Sequence, residues 1–497
     1  MSKKHRILSF ISVVGLIFLL FQSTASQETK DSEFDPEKKY SVEQLKQDFA
    51  IFRNALEDGH AGLYRYTPKQ ELDKQFDDIS KNLGQPLTEI EFYRLLVPLI
   101  ASINDGHTGI SLSSSSAKYA ETLPVMFPFN LRFVGGKAYL FRNYSDEKEV
   151  IMGSELISIN GYPASEIIEK MLPLIPSDAH IQTSKFRKLE RTTYFGTLYN
   201  LVFGQREDYS LTYREYETEN IKTLEVKGIS SKDVNRIFEE RYPEAAKPEP
   251  PISLEYEDNA AVLTINTFGS GAYQKADIDY PLFLKKTFKE LEEKGVKHLI
   301  IDLRNNGGGD DLYSRLPVSY LMGKPYPYYK HLRMNKKQYP FLEYTDVPPE
   351  RRKLPEERYR PNEEGTFDLL GHPNLGTHKP MEPTFKEKVY VLISGRSFSG
   401  AGECTSIIHY HKKAVFIGEE CGAGYYGNTS GFMPTLTLPN TKIKVRIPML
   451  RYTMAVSDYP PDRGIIPDYP VSPTIADLLE DRDTVMDFTL KLIENNK

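Results

Sequence analysis

The chain has 497 residues, more than one hydrophobic core usually serves, so two or three domains are expected. A hydrophobic share of 39%, a charged share of 27% and a net charge of −6 describe an ordinary globular protein. No sustained basic stripe occurs, which excludes a nucleic-acid surface.

The N-terminus departs from that average. Lys3, Lys4 and Arg6 precede an apolar run from Ile7 to Phe21, and the small residues Ser23, Thr24, Ala25 and Ser26 follow it. The run is short for a membrane span, so residues 1–26 predict a cleaved secretory signal rather than a retained anchor. The expected location is therefore periplasmic or extracellular, with no stable membrane association after cleavage. No cysteine follows the run, which excludes a lipoprotein anchor. The polar stretch Gln27 to Lys39 reads as a disordered leader.

Residues 36–115 predict a helical region. Val42, Leu45, Phe49, Phe52 and Leu56 recur at helical spacing, as do Phe92, Leu95, Leu96, Leu99 and Ile100, while Pro68 and Pro86 mark helix starts. The last of these helices runs out at Asn104-Asp105-Gly106-His107-Thr108. Residues 116–240 then alternate as strands, Phe127 to Phe133 and Lys137 to Arg142, and reach Gly153 to Pro163 before a helix from Ala164 to Met171. That stretch resembles the Gly-Asp-x-Ile-x-x-Ile-Asn-Gly element of PDZ domains, which bind peptide as an added strand. An ordinary hairpin is the alternative. Residues 172–206 read as an insertion before strands at Tyr209 to Tyr213 and Ile221 to Val226. The proline-rich stretch Arg241 to Pro251 reads as a linker.

Residues 251–475 predict the core of the chain. A strand from Ala261 to Asn266, a helix from Leu282 to Lys294 and a strand from His298 to Asp302 form a β-α-β unit, which implies a partly parallel sheet with active residues at strand C-termini. Residues 325–385, rich in Tyr, Pro and charge, interrupt this core and read as a lid. An amphipathic helix from Ile475 to Ile493, in the closing segment 476–497, ends the chain.

Two strands of the core feed short motifs. His298-Leu299-Ile300-Ile301 leads into Asp302-Leu303-Arg304-Asn305-Asn306-Gly307-Gly308-Gly309, whose glycines can offer bare backbone N–H groups. Val389 to Ile393 leads into Gly395-Arg396-Ser397-Phe398-Ser399-Gly400-Ala401-Gly402-Glu403, a hydroxyl at a strand-to-helix turn where negative charge is favoured. A serine beside an anion-binding loop is half of an acyl-transfer site. The other half is a base, and histidine suits it because its pKa lies near ~6.5. Chemistry alone leaves two equal candidates, Asp58-Gly59-His60 and Asp105-Gly106-His107, and either histidine can instead cap a helix end. Glu403 reads as a structural carboxylate. Neither His-Glu-x-x-His nor paired Cys-x-x-Cys occurs, and His409 and His411 point to different helix faces, so no metal and no cofactor are expected.

These motifs resemble the C-terminal-processing (tail-specific) serine peptidases. Asp302 to Gly309 is similar to that family's triple-Gly loop, and Ser397-Phe398-Ser399 stands where it has Thr-Ala-Ser. Gly418-Glu419 matches a Gly-Glu after the next strand. Asp105 to Thr108 resembles the histidine motif of the tricorn and retinoid-binding-protein branch, and Gly464-Ile465-Ile466-Pro467-Asp468 its closing element. The resemblance implies a crotonase/ClpP-like α/β core with a PDZ-like module and an N-terminal helical region. It implies Ser399 as nucleophile, His107 as base, and Gly309 and Gly400 N–H groups as oxyanion donors.

Four departures accompany the likeness. Glu403 stands four residues after Ser399 instead of three. Gly422-Ala423-Gly424-Tyr425-Tyr426 lacks the lysine of the Ser–Lys branch. Gly106 replaces a serine before the histidine. The family's late glutamate falls at Pro461, leaving Asp462, with Asp458 nearby, as the candidate acid. The reading is an exported serine peptidase acting on extended or unfolded polypeptide, in an oligomeric state the sequence does not specify. The alternative is an inactive peptide- or ligand-binding protein on the same scaffold. Cys404 and Cys421 fall on one edge of the predicted sheet, as two buried thiols or a disulfide.

Overall fold

A computed structural model describes residues 34–257, 260–353 and 355–495. The signal segment 1–26 and most of the polar leader lie outside the described residues. Among these, no helix is long and apolar enough to cross a membrane.

The central sheet is built by runs that are apolar on both faces. Its order is Ile252–Glu257, Ala260–Ile265, His298–Asp302, Lys388–Ile393, Val415–Gly418 and Tyr469–Pro470. The first pair is antiparallel and the rest are parallel. Parallel strands need covering on both sides. Ala261, Leu263, Ile265, Leu299 and Ile301 pack toward the large core, while Val262, Ile300, Leu392 and Ile417 pack against Val485 and Ile493 of the C-terminal helix. The predicted final helix is two helices, Ile475–Leu479 and Thr484–Asn495, parted at Asp481, whose φ of 53° no helix accommodates.

The N-terminal helices Val42–Gly59, Lys69–Asn82 and Glu89–Ser102 share one continuous apolar core with this sheet, through Phe49, Phe52, Phe92 and Leu96. The histidine loop is thereby held against the peptidase core. The middle module has its own apolar cluster under an antiparallel sheet in the order Phe129–Val134, Lys137–Asn143, Glu155–Ile159, Asp208–Arg214, Ile221–Lys227, with Tyr162–Pro163 paired beside it. Its insertion contains the helices Thr183–Leu189 and Thr192–Phe203.

The segment 325–385 is folded into the body, a correction to its reading as a lid. Its strand Tyr329–Met334 pairs with Leu450–Met454 and with Phe367–Leu369 in a five-stranded sheet. Tyr326, Tyr328 and Tyr329 are fully buried, because each hydroxyl finds a partner: Ser319 at 2.7 Å, Ser314 at 2.9 Å and Glu403 at 2.6 Å. Tyrosines so satisfied pack like phenylalanines, which composition alone conceals.

Candidate active site

The histidine comes from the exit of helix Glu89–Ser102, which starts in a capping box made by Thr88 and Glu91. After it the chain turns at Asn104, with φ 57°. Asp105 then organises the loop. Its Oδ1 accepts from the His107 N–H at 3.0 Å, the Thr108 N–H at 2.9 Å and the Thr108 hydroxyl at 3.0 Å, and its Oδ2 accepts from the Thr429 hydroxyl. The His107 carbonyl accepts from Arg446 Nε at 2.6 Å. With its backbone fixed on both sides, His107 places Nε2 3.1 Å from Ser399 Oγ. The Phe398 ring lies against the imidazole, centroids 4.7 Å apart.

Electrostatics keep this imidazole neutral. Burial lowers its pKa to about 4; Asp105 opposes that shift, and Arg446 and Lys188 reinforce it. Burial pushes the Asp105 carboxyl up, but His60, His107 and the Thr429 and Thr108 hydroxyls outweigh it and hold the group below its ordinary value. A neutral ring beside an ionised carboxylate is the form that accepts a proton and is then stabilised as a cation.

The serine sits on a strained turn. Ser399 has φ 54° and ψ −122° and leads directly into helix Gly400–Tyr410. A non-glycine residue there persists only where its surroundings over-determine it. They do so here. Phe398 N–H donates to Asn306 O at 3.0 Å, Ser394 Oγ to Arg304 O at 2.6 Å, and Ser397 Oγ to Leu303 O at 2.7 Å while accepting from Ser394 N–H at 3.0 Å. Ser397 is therefore wholly committed to the turn, and Ser399 is the hydroxyl that faces a base.

The triple-Gly loop borders the same space. Gly308 and Gly309 have φ of 98° and 139°. A Cβ on Gly308 would lie 2.7 Å from Ser399 Cβ, and one on Gly309 2.2 Å from Gly269 N, so only glycine fits either position. Asn306 pins the loop, accepting from Gly308 N–H at 2.8 Å and donating to Ile265 O at 2.9 Å. A Cβ on Gly400 would lie 3.6 Å from Gly309 N, which sets these two amides around one small space beside Ser399.

The structure thus brings Ser399, His107, Gly309 and Gly400 together. It does not bring Asp462 to them: that side chain is exposed, and only its carbonyl is engaged, by His180 N–H at 3.3 Å. The acids beside the imidazole are Asp105 and Asp178, each with a carboxylate oxygen within 4.8 Å of a His107 ring nitrogen. Asp178 was not singled out from the sequence, because the segment 172–206 carries no motif. His60 is buried support, its Nδ1 accepting from Gly62 N–H at 3.0 Å and its Nε2 2.6 Å from Thr108 Oγ1. Glu403 is a buried structural carboxyl, raised to about 7 by burial and by Asp311, and held by Tyr329 and Asn428. The oxygens of Asp105 and Asp178 already accept from N–H and O–H donors of the surrounding loops, while the buried His107 Nδ1 has no hydrogen-bond partner. Cys404 and Cys421 are separate buried thiols, the second donating to Ser397 O at 3.0 Å.

A serine on a strained turn, a histidine in contact with it and two glycine amides nearby form an arrangement able to carry out acyl transfer. Residues 259–471 match the model for peptidase family S41. This match covers the core that carries the serine and the triple-Gly loop, and the chain is a serine peptidase. Its fold is similar to that of mature CPAF, at 17% identity and a TM-score of 0.59, over 91% of this chain and 98% of that one. CPAF complexed with lactacystin gives 16%, 0.59, 91% and 97%. A putative peptidase from Parabacteroides merdae is 16% identical over 91% of this chain and 96% of its own, with a TM-score of 0.47. No match was found among curated protein sequences.

Proposed function

We propose that this serine peptidase is exported and cleaves extended or unfolded polypeptides by a Ser–His mechanism. The 3.1 Å contact between His107 Nε2 and Ser399 Oγ carries this reading. His107 removes the Ser399 proton as Oγ attacks the peptide carbonyl. The Gly309 and Gly400 amides hold the oxyanion, a donor of this kind being worth about 3 kcal/mol in the transition state. The imidazolium, stabilised by Asp105, then protonates the leaving amine, and water repeats the sequence to release the acyl group. No cofactor enters. Asp462 has no part in this scheme.

The core is read as crotonase/ClpP-like and the middle module as PDZ-like, with the antiparallel sheet around Glu155–Ile159 offering edges to an extended chain. Export rests on the basic and apolar pattern of residues 1–26. The test is digestion of one substrate protein in its folded and its reduced, unfolded form. Cleavage confined to the unfolded form is expected; equal rates would defeat the substrate assignment.

A further inference from the structure

The three segments that make the site are far apart in sequence, and one buried carboxylate ties the histidine loop to the segment around Gly424. Asp178 belongs to the module's insertion and is completely buried. Its Oδ1 accepts from the N–H of Gly106, the residue before the catalytic histidine, at 2.8 Å. Its Oδ2 accepts from the N–H of Gly424 at 3.2 Å. Gly424 lies in the stretch that has no lysine, and a Cβ there would meet the Tyr66 hydroxyl at 2.7 Å, so that space has no room for a side chain. The neighbouring Ala179 N–H donates to Asn104 O at 3.0 Å, at the start of the same histidine loop.

We propose that Asp178 is a positioning residue for catalysis, clamping the histidine loop to the Gly424 segment so that His107 stays within reach of Ser399. The inference rests on the Ser–His reading above. Only a carboxylate serves, because both oxygens must accept from backbone N–H groups; an amide side chain would turn an NH₂ toward one of them. The charge also counts, since a carboxylate beside the ring favours the imidazolium formed during the reaction.

Around Asp178 stand Asp105 and His107 of the histidine loop, Arg65 and Tyr66 from the segment after the first helix, Lys188 of helix Thr183–Leu189, and Cys421. Burial, then the charge on Asp105, raises Asp178 to about 6, with the two amides and Arg65 pulling the other way. The clamp therefore forms fully as pH rises through that value, above the range where His107 itself loses its proton.

The experiment uses the full chain with Asp178→Asn, and Thr183→Val as control. Thr183 also stitches the insertion to the core, by donating to Glu420 O at 2.9 Å, but touches no part of the histidine loop. The readouts are the pH profile of peptide hydrolysis and the rate at which a fluorophosphonate labels Ser399. A misplaced base costs about a hundredfold, so kcat of Asp178→Asn should fall about that much with KM little changed. The rise of activity near pH 6 should vanish in this variant alone. A wild-type kcat and profile in Asp178→Asn, or the same loss in Thr183→Val, would overturn the clamp while labelled Ser399 in the wild type leaves the Ser–His reading standing. An unlabelled wild type would overturn both. If Asp178→Asn does not fold, amide hydrogen exchange in the wild type decides: protected Gly106 and Gly424 N–H groups support the clamp, and fast exchange of both refutes it.

Discussion

The peptidase core and the insertion of the middle module meet within one hydrogen bond of each other, and they contribute different things. The core supplies backbone: the strained Ser399, the left-handed Gly308 and Gly309, and the amide at the start of helix Gly400–Tyr410. The insertion supplies side chains: Asp178 on two amides, Thr183 on Glu420 O, Arg187 on Glu419 at 2.8 Å, and the half-buried Lys188, which desolvation lowers to about 8. Backbone chemistry demands rigid strand ends, which the parallel sheet provides by register. Side-chain chemistry demands only that a loop be pinned, so it can come from any segment that packs nearby. His107, the proposed base, sits between these two regimes, its backbone set by Asp105 and Arg446 and its loop anchored by Asp178.

The sharpest way to break this division is to remove the core's contribution. Ser399→Ala should lower peptide hydrolysis on the order of a millionfold while leaving thermal stability nearly unchanged, because the hydroxyl's hydrogen bond is to His107 alone. Ser397→Ala should do the opposite. It loses two buried hydrogen bonds, each worth about 1 kcal/mol, and should lower the melting temperature while retaining measurable turnover. If Ser397→Ala proves inactive and Ser399→Ala active, the assignment is reversed.

A second intervention tests how the base loop and the nucleophile turn fit. Gly106 and Phe398 each depart from the family pattern, and they occupy one space: a Cβ on Gly106 would lie 2.6 Å from Phe398 Cζ and 3.1 Å from Asp178 Oδ1. Gly106→Ser alone should destabilise the chain by about 1–3 kcal/mol through overpacking and depress turnover. Adding Phe398→Ala should recover part of both. Two independent losses, with no recovery, would show that the departures are unrelated.

The smallest effect concerns a carboxyl away from the chemistry. The folded pKa of Glu403, raised by burial and by Asp311 to about 7, lies above its unfolded value of about 4.3. The folded state therefore holds a proton that the unfolded state has released, and stability contributed by this group declines as pH rises across that interval. Glu403→Gln removes the decline, and Asn428, whose Oδ1 lacks a partner, can turn its amide to accept from the new NH₂. Chemical denaturation should find the variant more stable at pH 8 by about 1–2 kcal/mol, with the difference gone near pH 4. A variant less stable at both pH values would contradict this.

Much of the core was legible because its strands are apolar on both faces and end in glycine-rich turns. His298–Asp302 is the observed strand, and Val389 to Ile393 falls within Lys388–Ile393. Ser399 and Gly309 were legible for the same reason, and His107 followed from the family likeness. Asp178 was not, since its partners Gly106 and Gly424 lie 72 and 246 residues away and nothing in Ser177-Asp178-Ala179 marks it. Asp462 matches the family's acid only by position along the chain, which cannot register that the segment before Gly464 turns its side chain to solvent. The sheet in 325–385 was hidden because buried tyrosines read as surface residues until their hydroxyl partners are known.

The central claim is that His107 activates Ser399. The direct measurement is the rate of fluorophosphonate labelling, with the modified residue identified by mass spectrometry, in the wild type, His107→Ala and His60→Ala. The account predicts label on Ser399 in the wild type, near-complete loss in His107→Ala, and retained labelling in a less stable His60→Ala. Labelling of Ser399 at an undiminished rate without His107, or label found on Ser397, would contradict it.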